Sequence, residues 1–278
     1  MTRSGLVITT GVAILTVAAG QRLAIPQRQG PVANPAAEPL ARISVAEDPR
    51  KIFQRITSIS AEERTLGAKQ LGWPGDEDPA LGDARLFVTN LDSDEEMEVV
   101  FVLTRSRRVA SVALIFDHQE TGWMQVGQFE YFWRWNPDGA EGFIEFREII
   151  DSGRKEVLVR LMNGGTGVAE QAVTIFRLHK GLLYPIFQMI EESYHTICCG
   201  TPDTGGGVED KREMSVHESA GGPVLLVEHE QTTYSPVIRS EQGASRPQLV
   251  GCTAYRWVPE RLTFAIDKKA SAQLCPTR

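Results

Sequence analysis

The chain has 278 residues, 42% hydrophobic and 23% charged, with a formal net charge of −7 and four cysteines. Its basic residues are scattered, with one short cluster at Arg105, Arg107 and Arg108. That distribution excludes a nucleic-acid binder of the basic-stripe kind, and the modest negative charge favours solubility.

The N-terminus opens with Met1–Ser4, which carries one Arg, followed by an uncharged and mostly apolar run from Gly5 to Ala19. Val17-Ala18-Ala19-Gly20 then supplies small residues before Gln21. A basic start, an apolar stretch and a small-residue site predict a secretory signal peptide over 1–20. The apolar run is about fifteen residues, short of the roughly twenty that cross a bilayer as a helix, and a short N-terminal anchor is the second reading. Residues 21–45, rich in Pro, Ala and Gln, read as a flexible linker.

Residues 46–74 carry helix signals. Asp48 before Pro49 is an N-cap followed by a proline suited to the first helical position, and Ile52, Phe53, Ile56 and Ile59 give one apolar face. Ser60 with Glu63 is a capping box for a second short helix that ends at Gly72, with Pro74 beyond.

From residue 84 to 278 strand signals dominate, and they recur. Leu86–Ser93, Val99–Leu103, Val112–Phe116 and Gly122-Trp123 leading to Phe129 form one series. Phe143–Ile150, Asp151-Ser152, Val157–Leu161, Val173–Phe176 and Gly181-Leu182 leading to Phe187 form the next, with the Asp-Ser steps 59 residues apart and the Ile-Phe steps 60 apart. A weaker third series starts near Met214, with Val224–Val227, Thr253–Trp257 and Leu262–Ile266. A fixed period of this size predicts an all-β body of repeated antiparallel sheet units, either a partial or irregular β-propeller or stacked sheets, preceded by one or two short helices. Asn136-Pro137-Asp138-Gly139 reads as a tight turn joining Phe129–Trp135 to Phe143–Ile150 as a hairpin.

The four cysteines, Cys198, Cys199, Cys252 and Cys275, fit an oxidising compartment and predict disulfides. Neighbouring cysteines rarely bond to each other, so Cys198 and Cys199 are expected to pair with Cys252 and Cys275 in one order or the other. A metal site from His195, Cys198 and Cys199 departs from zinc-ligand spacing.

Two stretches could carry function. Asn90-Leu91-Asp92-Ser93-Asp94-Glu95-Glu96-Met97-Glu98-Val99-Val100 places acids at alternate positions ahead of a valine-rich strand. This stretch, with Val112–Phe129 after it, resembles the FG-GAP/VCBS-type repeats of integrin-like β-propellers, although the turn glycine of that pattern is absent. The resemblance implies a Ca²⁺ site on Asp92, Asp94, Glu96 and Glu98, where several hard oxygens on one loop suit an ion that takes six to eight. The other reading of the same loop is a solvated acidic turn that discourages edge aggregation.

Phe129-Glu130-Tyr131-Phe132-Trp133-Arg134-Trp135 is the second stretch. As a strand it puts Phe129, Tyr131, Trp133 and Trp135 on one face. Exposed, that face would make Tyr131, Trp133 and Trp135 a ligand surface; buried, it is core. Zinc-protease, nucleophile-elbow and phosphate-loop patterns are absent.

The functional expectation is a secreted or periplasmic, non-catalytic binding or adhesion protein for an extracytoplasmic protein or glycan, with either a Ca²⁺-stabilised loop at the acidic stretch or no cofactor. The alternatives are a secreted hydrolase using an acidic pair in the β domain, and a structural envelope protein without a small ligand.

Overall fold

The computed structural model describes residues 43–71, 81–105, 110–132, 144–165, 168–196, 207–234 and 246–276. The architecture is all-β: two antiparallel sheets with three short helices, and no closed barrel. The first sheet contains β1 (Ile43–Val45), β2 (Leu81–Thr89), β3 (Glu98–Arg105), β4 (Ala110–Gln119) and β5 (Gly122–Phe132), in the order β1-β5-β4-β3-β2. The second runs from β6 (Ile144–Arg147) through β7 (Glu156–Gly165), β8 (Val168–His179), β9 (Leu182–Thr196), β10 (Gly207–His217), β11 (Val224–Tyr234) and β12 (Gln248–Val258) to β13 (Thr263–Ile266), each strand bonded to the next.

The repeat series correspond to three four-stranded meanders: β2–β5, β6–β9 and β10–β13. Equivalent positions follow from the hairpin registers, in which Asp117 lies opposite Met124, Arg177 opposite Tyr184 and Trp257 opposite Phe264. The expected hairpin around Asn136–Gly139 is corrected. Its flanking strands β5 and β6 lie in different sheets: the free edge of β5 is taken by β1, and β6 opens the next unit against β7. The turn itself lies outside the described residues.

The units stack face to face. One face of the first sheet, carrying Val99, Phe101, Leu103, Leu114 and Phe116, packs against Ile52 and Ile56 of α1 (Pro49–Ile56) and Ala68 of α2 (Ala61–Gln70). Its other face, with Val100, Val102, Ala113 and Ile115, packs on Val157, Val159 and Leu178 of the second unit. Gly127 belongs to this joint, since a Cβ there would lie 2.3 Å from Leu183 Cδ1. The opposite face of the second unit, with Leu158, Val173 and Ile175, meets Leu225, Val227 and Phe264 of the third. The second sheet therefore folds over on itself: β10 pairs with β9 only over Gly207–Lys211, then continues along β11.

Helices close the two ends of the stack. α1 and α2 start where expected, with the Asp48 side chain accepting from Arg50 N and the Ser60 side chain from Glu63 N. α3 (Lys268–Leu274), which the sequence reading did not foresee, lays Ala270 on Val224, Leu226 and Ala254, the outer face of the third unit.

A disulfide joins Cys252 on β12 to Cys275 at the end of α3, with Cα atoms 5.6 Å apart and a sequence separation of 23. This corrects the expected pairing with Cys198 and Cys199. The fold-back of α3 brings the two C-terminal cysteines to bonding distance, whereas Cys198 and Cys199 lie outside the described residues. Among the described residues no helix is long and apolar enough to cross a membrane.

Candidate cation centre

The loop between β2 and β3 is built by its own acids. Asp92 Oδ1 accepts from Asp94 N at 2.9 Å, and Asp94 Oδ1 accepts from Glu96 N at 2.9 Å. These two consecutive Asx turns bend the chain. No residue between Asn90 and Glu98 has a positive φ, so the loop closes without the glycine of the resembled pattern.

The four candidate ligands separate into three roles. Asp92 and Asp94 come together with Asp117 of β4, and one oxygen from each lies within 4.8 Å of the others. Glu96 is engaged by His118 Nδ1, whose ring stands edge-on to Trp123 with centroids 4.9 Å apart. Glu98 is 1% exposed and its Oε2 accepts from Leu91 N, fastening the start of the loop. The site thus keeps Asp92 and Asp94, adds Asp117, and uses Glu96 and Glu98 as supports.

Asp117 is 3% exposed and accepts from Gln119 Nε2 at 2.7 Å. It lies 25 residues beyond Asp92, so no local motif contains it. The 60-residue period offered a signal: the residue after Ile115-Phe116 is Asp117, and the residue after Ile175-Phe176 is Arg177, a reversal of charge at an equivalent position.

Electrostatically the loop is crowded. Burial raises the Asp92 carboxyl above the usual range, and the Asp94 charge adds to the rise. Burial also pushes Glu98 up to about 8, with the charges of Asp92 and Asp117 contributing. Opposing them is Arg154, 9% exposed, which donates through Nε to Leu91 O at 3.1 Å and through Nη2 to Leu178 O. Lys155 N adds a bond to Asn90 O at 2.9 Å. The second unit therefore holds the acidic loop of the first by its backbone carbonyls. At the entry to the loop, Thr89 Oγ1 and Asn90 Oδ1 are buried without a hydrogen-bond partner among the described residues.

The second unit shows what this centre becomes with its own cation. Glu156, fully buried, accepts from Ile149 N at 3.0 Å and Ile150 N at 3.4 Å, as Glu98 does from Leu91 seven residues upstream. Arg177, in the place of Asp117, bonds Glu156 Oε1 at 2.5 Å and Asp151 through Nη2. Its guanidinium lies 5.5 Å from the ring of Trp257, which fills the same register position in the third unit. Acid, cation and aromatic thus occupy one position in successive units. The first unit has an acid where the second carries its own positive charge, and its donors are all hard oxygens, the set that suits Ca²⁺ or Mg²⁺.

Of the aromatic strand, Phe129 turns inward, its ring 4.8 Å from that of Phe176 in the inter-sheet core. Trp133, Trp135 and the side chain of Tyr131 lie outside the described residues.

Among known proteins, the chain matches no family model, no curated protein and no solved structure.

Proposed function

We propose that the protein is an exported, non-catalytic binding protein of β-repeat type whose first unit is locked by Ca²⁺ on Asp92, Asp94 and Asp117. The observation that carries this reading is the convergence of three carboxylates at a position where the adjacent unit seats Arg177 on Asp151 and Glu156. Three acids in a partly buried place repel one another unless a cation joins them. Export is supported by the uncharged Gly5–Ala19 run and by the Cys252–Cys275 bond, which suits an oxidising compartment. The ligand, a protein or glycan outside the cytoplasm, is assigned to the aromatic run at Tyr131, Trp133 and Trp135 on sequence grounds.

The hydrolase alternative gains little from the same region. Glu98 has the raised pKa of a general acid, but it is 1% exposed and bonded to Leu91 N, out of reach of a substrate. Thermal unfolding of the oxidised full chain, with Ca²⁺ titrated against EGTA, tests the reading. At a hundredfold excess over the dissociation constant, linkage predicts about 2.7 kcal/mol of added stability, lost in Asp92→Ala with Asp94→Ala. An unchanged melting temperature would leave the loop as a solvated acidic turn.

A further inference from the structure

Native sheets blunt their edges, and among the described residues three of the four strands that end the two sheets are short. β1 has three residues, β6 four and β13 four. The fourth end strand, β2, has nine residues and no proline, keeps a regular register from Asp83 to Thr89 beyond a bulge at Leu81/Asp83 and, among the described residues, pairs to β3 alone. A long edge with unpaired backbone groups is a template for another strand. Its side chains fit that use. Leu86 is 38% exposed, Val88 48% and the neighbouring Met97 51%, large apolar groups left uncovered beside an otherwise buried sheet.

We propose that β2 is a self-association edge, and that two copies of the chain join through antiparallel β2–β2 pairing with Leu86 on the two-fold axis. The argument for a second copy is the strand's self-complementarity. With Leu86 opposite its own equivalent, Ala84 falls opposite Val88, so Ala84, Leu86 and Val88 of both copies form one apolar stripe on the face that carries α1 and α2. On the other face Arg85 falls opposite Phe87, so no like charges are opposed there. The strand has one acid and one base and is locally neutral in a chain of net charge −7, which makes it a place where two such chains approach with little repulsion. The contact is isologous and closes at two copies, because each β2 has one free edge.

Sedimentation of the full chain over the micromolar range, with cross-linking at single introduced cysteines in a Cys198→Ser, Cys199→Ser background, tests this. A monomer–dimer equilibrium is expected, with Leu86→Lys weakening it at least about tenfold and leaving the melting temperature unchanged at dilutions where the parent chain is itself monomeric. Residues directly opposed across antiparallel strands have Cα atoms about 4.5–5.5 Å apart, within disulfide range. Leu86→Cys should therefore give a covalent dimer under mild oxidation, and Val88→Cys alone should not, since Ala84 faces it. Either a monomer at every concentration, or a dimer that survives Leu86→Lys, overturns the proposal. Cross-linking of Val88→Cys as fast as that of Leu86→Cys overturns the register, and binding of β2 by a different protein would show as a monomer in the pure preparation.

Discussion

Glu98 and Glu156 occupy the same place in consecutive units, and both commit a carboxylate oxygen to backbone N–H groups seven residues upstream. The cost falls on ionisation. Glu98 has its pKa raised from 4.5 to about 8 by burial first, so between those values the folded chain holds a proton that the unfolded chain has lost. Its contribution to stability is complete below about pH 4.5 and declines as pH rises towards 8, by at most on the order of 4 kcal/mol. In EGTA, the melting temperature of Glu98→Gln should therefore fall less between about pH 5 and 8 than that of the parent chain. Parallel profiles would show that Glu98 is ionised in the fold. Glu156 differs in having Arg177 as a partner. Arg177→Met should cost about 3–5 kcal/mol in urea unfolding, because it strands a fully buried carboxylate, with Arg177→Lys recovering part of the loss.

At the scale of elements, capping residues and strand runs made much of the fold legible beforehand. Asp48, Ser60 and the β-branched runs state local preferences that the tertiary structure keeps. β1 and α3 were not legible because neither has a strong local signal. β1 is a three-residue strand that exists by pairing with Trp123–Gln125, and α3 buries only Ala270. The Asn136–Gly139 hairpin was misread for a related reason: a turn motif specifies a bend, and sheet membership decides which strands pair. α3 depends on the disulfide for anchorage. Cys252→Ser with Cys275→Ser should lower stability by about 3 kcal/mol in the chain-entropy model. Amide exchange at Ala270 and Ser271 should accelerate ahead of the sheets; uniform destabilisation would mean that the helix is held by packing alone.

Across the whole molecule, three meanders with helices at both ends form a finite stack. The first unit meets the second with opposite faces, as consecutive blades do, whereas the second and third meet with equivalent faces because their shared sheet folds over. That inversion explains why the third repeat was faint: its apolar positions serve different neighbours, so its pattern departs from the other two. The candidate site was half legible for a similar reason. Asp92 and Asp94 sit in a local motif, but Asp117 arrives from a different strand and joins them only through register.

Asp117 is accordingly where the cation reading is most exposed to test. Calorimetric titration of Ca²⁺ into the oxidised full chain should give one site per chain, since Arg177 already occupies the equivalent centre. Asp117→Asn, which lies outside the linear acidic motif and changes charge with little change in volume, should abolish the heat while leaving the folded spectrum intact. One site in the parent chain and none in Asp117→Asn is the predicted result. No binding by the parent chain, or full binding by Asp117→Asn, would contradict a cation centre built between the β2–β3 loop and β4.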